Sequence, residues 1–237
     1  MLGTIMAALK QMSGEEFVRE VLGGERDFSG IALEAGFDLS GYDGFNEMQA
    51  YLKGQNLSIN PVLINGSKFY RVKARGLYLP YAKGRKAVLR EADLGGADLV
   101  GAVLERADLE RAVLAGAFLP GADLKRADLE RAVLAGAVLV GADLKRANLE
   151  RAVLRDADLR EAVLRGAVLR GADLERADFR RADLRGVRKL EYSVNLGSAS
   201  YGGTIVTPEE KSVIEKALNG RALFGRALFD VRIDAGV

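Results

Sequence analysis

The chain reads in fives. From Ala87 to Gly186 the sequence AVLRE, ADLGG, ADLVG, AVLER continues for twenty pentads without a break. The first position is Ala in all twenty, and the third, or centre, is Leu everywhere except Phe179. The second is Asp, Asn, Val or Phe, and the last two are mostly charged or Gly. A longer period lies on top: residues 107–126 and 127–146 differ only at Phe118/Val138 and Pro120/Val140.

Ala, Leu, Arg and Glu are strong helix formers, yet one long helix is excluded by geometry. At about 100° per residue, a step of five rotates the apolar pair by about 140°, which scatters Leu around the whole cylinder and leaves no face to bury. Within a pentad, Ala and Leu stand two apart, as on one side of a short strand. The two residues after Leu then carry the chain around a corner. Four such sides make one coil, which accounts for the twenty-residue period. Stacked coils place Leu over Leu and Ala over Ala inside, with the other three positions outside. This is an all-β solenoid.

Repeats such as Ala92-Asp93-Leu94-Gly95-Gly96 and Ala147-Asn148-Leu149-Glu150-Arg151 resemble the pentapeptide-repeat family, whose pattern is A-(D/N)-L-x-x. The resemblance implies a right-handed quadrilateral β-helix with the centre and the preceding Ala pointing inward. It says little about activity, because one fold hosts many functions.

Counting back in fives from Leu89 gives centres Gly84, Leu79, Ala74, Phe69, Ile64 and Ile59, with inward partners Ala82, Leu77, Val72, Ser67, Val62 and Leu57. None is charged, so the coil extends in degenerate form over 57–86. After the regular block at 87–186 the phase slips by two across Val187–Ser193, and a final coil resumes with Val194, Ala199 and Thr204 as first positions, ending at 206. The total is about seven coils and a rod of about 35 Å.

A solenoid exposes an apolar core at its ends and needs caps. Residues 1–56 are read as a helical cap. It contains the capping-box sequence Ser13-Gly14-Glu15-Glu16, a stop at Gly23-Gly24, one isolated pentad near Asp27-Phe28-Ser29-Gly30-Ile31, and a helical insertion at 45–53. Residues 207–237 are read as a second cap. It has a helix from Thr207-Pro208-Glu209-Glu210 to about Leu218, a stop at Asn219-Gly220, and an apolar lid of Leu223, Phe224, Leu228 and Phe229. The fifth pentad residue is Gly at nine of twenty corners and usually Arg elsewhere. Gly supplies the positive φ of a type II turn and type I accepts Arg, so two kinds of corner are expected.

The chain has no His and no Cys, which removes Ser-His and Cys-His nucleophile pairs, imidazole and thiolate metal sites, and disulfides. It has no P-loop, no strand-linked GxGxxG and no G-x-S-x-G elbow. Its carboxylates sit on a solvated face where little would shift their pKa values. A non-enzymatic protein without cofactor or metal is expected. Asp at second positions, such as Asp123 and Asp143, is expected to bond nearby backbone and stay exposed rather than line a metal ladder. No apolar run of about 18 residues marks a membrane span. The start MLGTIMAALKQM lacks an early basic region and an A-x-A cleavage signal, so a cytoplasmic protein is expected.

Charge is uneven along the chain. Between Glu47 and Glu91 there is no acidic residue, yet nine basic ones stand there. Of these, Lys68, Arg71, Lys73, Arg75, Lys83, Arg85, Lys86 and Arg90 point outward in the extended register and form a collar, with Tyr70, Tyr78 and Tyr81 interleaved. Either the collar binds an anion, nucleic-acid phosphate or an acidic protein, or Glu91, Asp93 and Asp98 of the neighbouring coil neutralise it. The column of Lys125-Arg126, Lys145-Arg146 and Arg165 faces stacked Glu110, Glu130 and Glu150 and reads as a mixed, solvated surface.

The family resemblance implies two binding roles. One is mimicry of B-form DNA toward type II topoisomerases, which needs a long acidic surface. Here residues 87–136 hold 6 basic and 9 acidic groups (net −3), and residues 137–186 hold 11 and 9 (net +2). The other is a rigid scaffold or regulatory protein-interaction module, which demands no particular sign and is the preferred reading. The expected partner is a protein, with nucleic acid as the alternative and no membrane. An end of the solenoid is the expected place for a homodimer contact.

Overall fold

Each pentad closes a hydrogen-bond circuit that depends on the coils above and below it. In the computed structural model, which describes residues 9–218, residues 107–111 show the pattern. Asp108 N–H donates to the Ala87 carbonyl of one neighbouring coil (2.9 Å). Leu109 and Arg111 N–H donate to the Asp128 and Glu130 carbonyls of the other neighbour (2.7 and 2.8 Å). Ala112 N–H closes the corner on the Leu109 carbonyl (3.0 Å). Parallel single-residue bridges link second positions twenty apart, so the ladders run perpendicular to the coils. Side one holds 67–71, 87–91, 107–111 and their successors. Side two holds 72–76 and 92–96 onward, side three 77–81 and 97–101 onward, and side four 62–66, 82–86 and 102–106 onward.

The fourth amide of the pentad has no backbone partner in this circuit, and the second-position side chain supplies one. Glu110 N–H donates to Asp108 Oδ1 (3.2 Å), Glu130 N–H to Asp128 Oδ1 (3.1 Å), and Glu150 N–H to Asn148 Oδ1 (3.1 Å). That is the physical content of the Asp/Asn preference: a short side chain two residues back caps an orphan donor at the turn. Asp128→Ala is therefore expected to cost about 1 kcal/mol in urea unfolding, and Asp128→Asn much less, since Asn148 performs the same task one coil on.

The interior is built as the pentads require. Every first-position Ala and every centre from Ala87 to Leu184 is at most 6% exposed, and these residues form one continuous core. Toward the N-terminus the columns continue through Val62, Ile64, Phe69, Val72, Leu77 and Leu79, all buried. Ile59 is the exception. It is 80% exposed, so the inward columns begin at Val62 and Ile64, and of the residues before them only Leu57 stays buried. An apolar cavity of about 40 Å³ lies in this degenerate part, beside Ala74, which stands where the regular block has Leu.

Residues 26–41 build three sides of a coil rather than an isolated pentad. Asp27 bridges Leu63, Ala32 bridges Lys68 and Asp38 bridges Lys73. Strand β1 (Lys10–Met12) pairs in parallel with β2 (Ile31–Leu33) below them. Helix α1 (Gly14–Leu22) starts at a capping box in which Glu16 N–H donates to Ser13 Oγ and Ser13 N–H to Glu16 Oε2. It lays Phe17 against Phe28 and Phe69, with ring centroids 4.6 and 5.8 Å apart. Helix α2 (Phe45–Lys53) follows the third of those sides, and Tyr78 N–H donates to its Gln49 Oε1 (2.5 Å).

The phase slip is two separate one-residue insertions. Bridges step from Val168↔Arg188 to Asp173↔Val194 and then Asp178↔Ser200, so spacing grows from 20 to 21 to 22. The extra residues are Lys189 and Asn195, both left-handed (φ 63° and 58°), each opening a single 3₁₀ turn, Leu190–Tyr192 and Leu196–Ser198. Val194 is consequently a second-position residue, 48% exposed, and not the inward first position that a single slip of two implies. Leu196, Tyr201, Thr204 and Val206 are buried. Helix α3 (Pro208–Ala217) then turns back: Thr207 N–H and Gly186 N–H donate to the two oxygens of Glu210 (2.7 and 2.9 Å), and Ile214 is fully buried. The expected stop at Asn219-Gly220 and the lid at 221–230 lie outside the described residues.

All twenty corners from Glu91 to Gly186 have positive φ at the fifth residue, Arg as well as Gly. Arg126 (57°) and Gly121 (64°) differ by only a few degrees. The expected division into Gly type II and Arg type I corners is overturned. The ladder is the reason, because the fifth N–H must reach the next coil's fourth carbonyl at every level, as Arg126 does to Lys145 and Gly121 to Val140 (both 2.9 Å).

Candidate functional site

The outward columns put residues 18 or 20 apart side by side, and that geometry decides the fate of the collar. Arg71 Nε lies 2.8 Å from Glu91 Oε2, and Arg75 lies 3.1 Å from Asp93. Arg85 lies 2.9 Å from Glu105, and Arg90 reaches both Glu110 (2.5 Å) and Asp108 (3.4 Å). Lys73 pairs backward with Asp38 at 3.6 Å. The hydrogen bond from Arg71 holds the Glu91 carboxyl below its ordinary range, and Glu91 raises the Arg71 guanidinium in return. Asp98 takes no part in this neutralisation: its carboxylate accepts from Val100 N–H (3.2 Å). Among the described residues, three of the eight collar cations, Lys68, Lys83 and Lys86, make no ion pair. They lie around one corner, where side four meets side one.

The column at Lys125 and Lys145 is also internally paired, to Asp123 (2.9 Å) and Asp143 (3.1 Å) on the same side. Arg165 pairs with Asp183 at 2.6 Å. Asp108, Glu110 and Asp128 bring one oxygen each within 4.8 Å of one another. The Arg90 guanidinium already sits on the first two of them.

Nearer the C-terminus the pairs are tighter. Arg160 holds Asp158 (2.7 Å) and Arg180 holds Asp178 (2.6 Å), while Arg176 bridges to Asp156 (2.6 Å). A hydrogen bond from Arg160 keeps Asp158 below the usual carboxylate range, and one from Arg176 does the same for Asp156. A carboxyl whose folded pKa is depressed stabilises the fold above its unfolded value and loses that contribution as pH falls through the folded value. The urea midpoint is therefore expected to stay level down to about pH 5 and to decline below about pH 4. An Arg160→Gln variant should show a shallower decline.

One surface feature escapes a residue-by-residue search for charge. Side three and its two corners carry no charged residue across 112–122 (AVLAGAFLPGA) and 132–142 (AVLAGAVLVGA). Phe118 stands 44% exposed at its middle. The signal is present in the sequence as two charge-free runs, but only the four-sided coil places them one above the other. A cleft of about 390 Å³ lies separately at the other end, between residues 186–191 and α3. Among the described residues, no helix is long and apolar enough to cross a membrane.

Several solved structures are similar to the chain. HetL, a pentapeptide repeat protein involved in heterocyst differentiation regulation from Nostoc sp. strain PCC 7120, is 24% identical, with 82% of this chain and 97% of that chain covered and a TM-score of 0.27. Rfr23, a pentapeptide repeat protein from the cyanobacterium Cyanothece 51142, is 26% identical over 63% of this chain and 98% of that one, with a TM-score of 0.26. QnrB1, a plasmid-mediated fluoroquinolone resistance protein, is 17% identical over 66% and 87%, with a TM-score of 0.37. No curated protein matches the chain. The family model for pentapeptide repeats matches in eight copies, over residues 67–106, 87–126, 107–146 and 147–186. Those windows cover more than half of the chain and coincide with the stacked Ala and Leu columns, and on that ground the chain belongs to the pentapeptide-repeat family, whose fold is a right-handed β-helix.

Proposed function

We propose that the chain is a non-enzymatic, rigid protein-interaction module: a rod of about seven coils, closed by α1 at one end and α3 at the other, that offers fixed columns of side chains to a protein partner. The supporting observation is the coil-to-coil tie of the outer surface. Ladder bonds of 2.7–3.0 Å hold the backbone through the middle of the block, and ion pairs such as Arg71–Glu91 and Arg176–Asp156 join side chains twenty residues apart. A surface locked in this way loses little side-chain entropy on binding, which favours recognition by shape. Cross-linking of the tagged full-length chain in its native lysate, followed by hydrogen exchange on the purified complex, tests the reading. Protection confined to one or two sides is expected. Finding no retained protein, or protection spread evenly over all four sides, would refute it.

A second reading rests on Lys68, Lys83 and Lys86, which have no ion-pair partner among the described residues. Here the collar binds an anion through these three rather than through all eight cations. The triple change to Gln should lower the salt slope of duplex DNA binding by about 3, because three phosphate contacts release about that many counterions. Equal binding by wild type and variant in low salt makes the corner an ordinary solvated one.

A further inference from the structure

We propose that the chain pairs with a second copy of itself, antiparallel, through side three. This goes beyond the interaction-module reading and stands or falls independently of it. Outward residues Val113, Phe118, Pro120, Val133, Val138 and Val140 form an apolar strip two coils deep, on a side whose residues at 157–161 carry charge again. The corners flanking the strip are Gly116, Gly121, Gly136 and Gly141, and a Cβ built on any of them would meet nothing within 4 Å. The backbone is bare there, so the surface is flat and crossed only by ridges repeating at about 4.8 Å. A regular ridge-and-trough surface is complementary to its own two-fold copy, and a two-fold contact is the commonest way for a protein to self-associate.

Charge selects the antiparallel arrangement. Residues 87–136 have a net charge of −3 and residues 137–186 a net charge of +2. Side-by-side parallel copies would set like halves together, whereas antiparallel copies set opposite halves together. A two-fold axis between the Phe118 and Val138 rows brings Phe118 of one copy onto Val140 of the other. The same axis sets Asp98 opposite Arg160 of the second copy. Among the described residues Asp98 makes no ion pair, and its carboxylate accepts from Val100 N–H (3.2 Å). Six rows from Tyr78 to Asp178, at about 4.8 Å each and roughly 20 Å wide with the corners, offer on the order of 600 Å² per copy. That is at the lower limit for a specific interface, so the dimer is reversible, with a Kd of about micromolar or weaker.

Sedimentation velocity on the full chain over a concentration series tests this directly. Wild type should shift from monomer to dimer, and Val138→Lys, an outward change that leaves the unfolding midpoint in place, should weaken association at least tenfold. Asp98→Arg should weaken it too, and the double variant Asp98→Arg/Arg160→Asp should recover it. Because the chain contains no Cys, an equal mixture of Phe118→Cys and Val140→Cys chains should give a disulfide heterodimer on mild oxidation that neither chain gives alone. A wild type that stays monomeric at a hundred times the micromolar range overturns the proposal. So does a dimer that forms no mixed disulfide, because an end-to-end contact does not bring 118 and 140 together.

Discussion

Truncation of one centre residue, Leu134→Ala, is expected to lower stability by about 2–5 kcal/mol in equilibrium unfolding. Leu134 is 1% exposed and stacks between Leu114 and Leu154 in the same column, both equally buried. The loss has two parts: the transfer energy of the removed carbons and the hole left behind. The hole cannot close readily here. Neighbouring coils are held at their spacing by ladder bonds of 2.7 Å from Leu134 N–H to the Val153 carbonyl and 2.7 Å from Leu114 N–H to the Val133 carbonyl. Ala132→Leu should do comparable damage from the opposite direction. Ala132 is fully buried in the Ala column, and added carbons there meet a wall that the same ladders prevent from moving. A neutral Ala132→Leu would mean that the first pentad position does not face a close-packed interior.

The corners provide the second large effect, and it differs in sign between two neighbouring sites. Gly121→Val is expected to cost about 2 kcal/mol or somewhat more. Its φ of 64° suits Gly, and a β-branched residue in the left-handed region is a genuine outlier. Arg126, at φ 57°, already bears the ordinary penalty of an L-residue there, about 1–2 kcal/mol. Arg126→Gly should therefore be neutral to stabilising by up to about 1 kcal/mol, after the greater freedom of Gly in the unfolded chain is set against the relieved strain. Chemical denaturation of the two variants beside wild type checks both. Destabilisation by Arg126→Gly of more than about 1 kcal/mol would show that the Arg side chain, and not the corner, is what the site requires.

Much of this architecture was legible in residue order. Ala and Leu two apart, repeated every five residues, leave only one arrangement in which every Leu is buried, so the inward columns, the four-sided coil and the degenerate extension back to Val62 follow from pattern and side-chain size. The Ser13–Glu16 and Thr207–Glu210 helix starts are local as well, since their partners are three residues apart. Residues 26–41 were less legible: Arg26 stands at a buried inward position and an extra residue breaks the count before Gly36, so only the stretch near Asp27 looks like a pentad.

The collar shows why charge counts along a chain mislead. Lys68 to Arg90 form an unbroken basic run in sequence, but five of the eight residues find acids in an adjacent coil, at separations of 18, 20 or, for Lys73 and Asp38, 35 residues. The corners and the phase slip are of the same kind. Arg is compatible with a type I turn locally and takes positive φ because the ladder continues through every corner; a slip of two splits into one-residue bulges at Lys189 and Asn195 because each side must regain its bridge separately. The sequence by itself determined which residues point inward, since that depends on spacing within a pentad. Only the tertiary structure decided the corner torsions, the neutralisation of the collar and the alignment of two charge-free runs into one apolar side, because all three depend on contacts between coils about twenty residues apart.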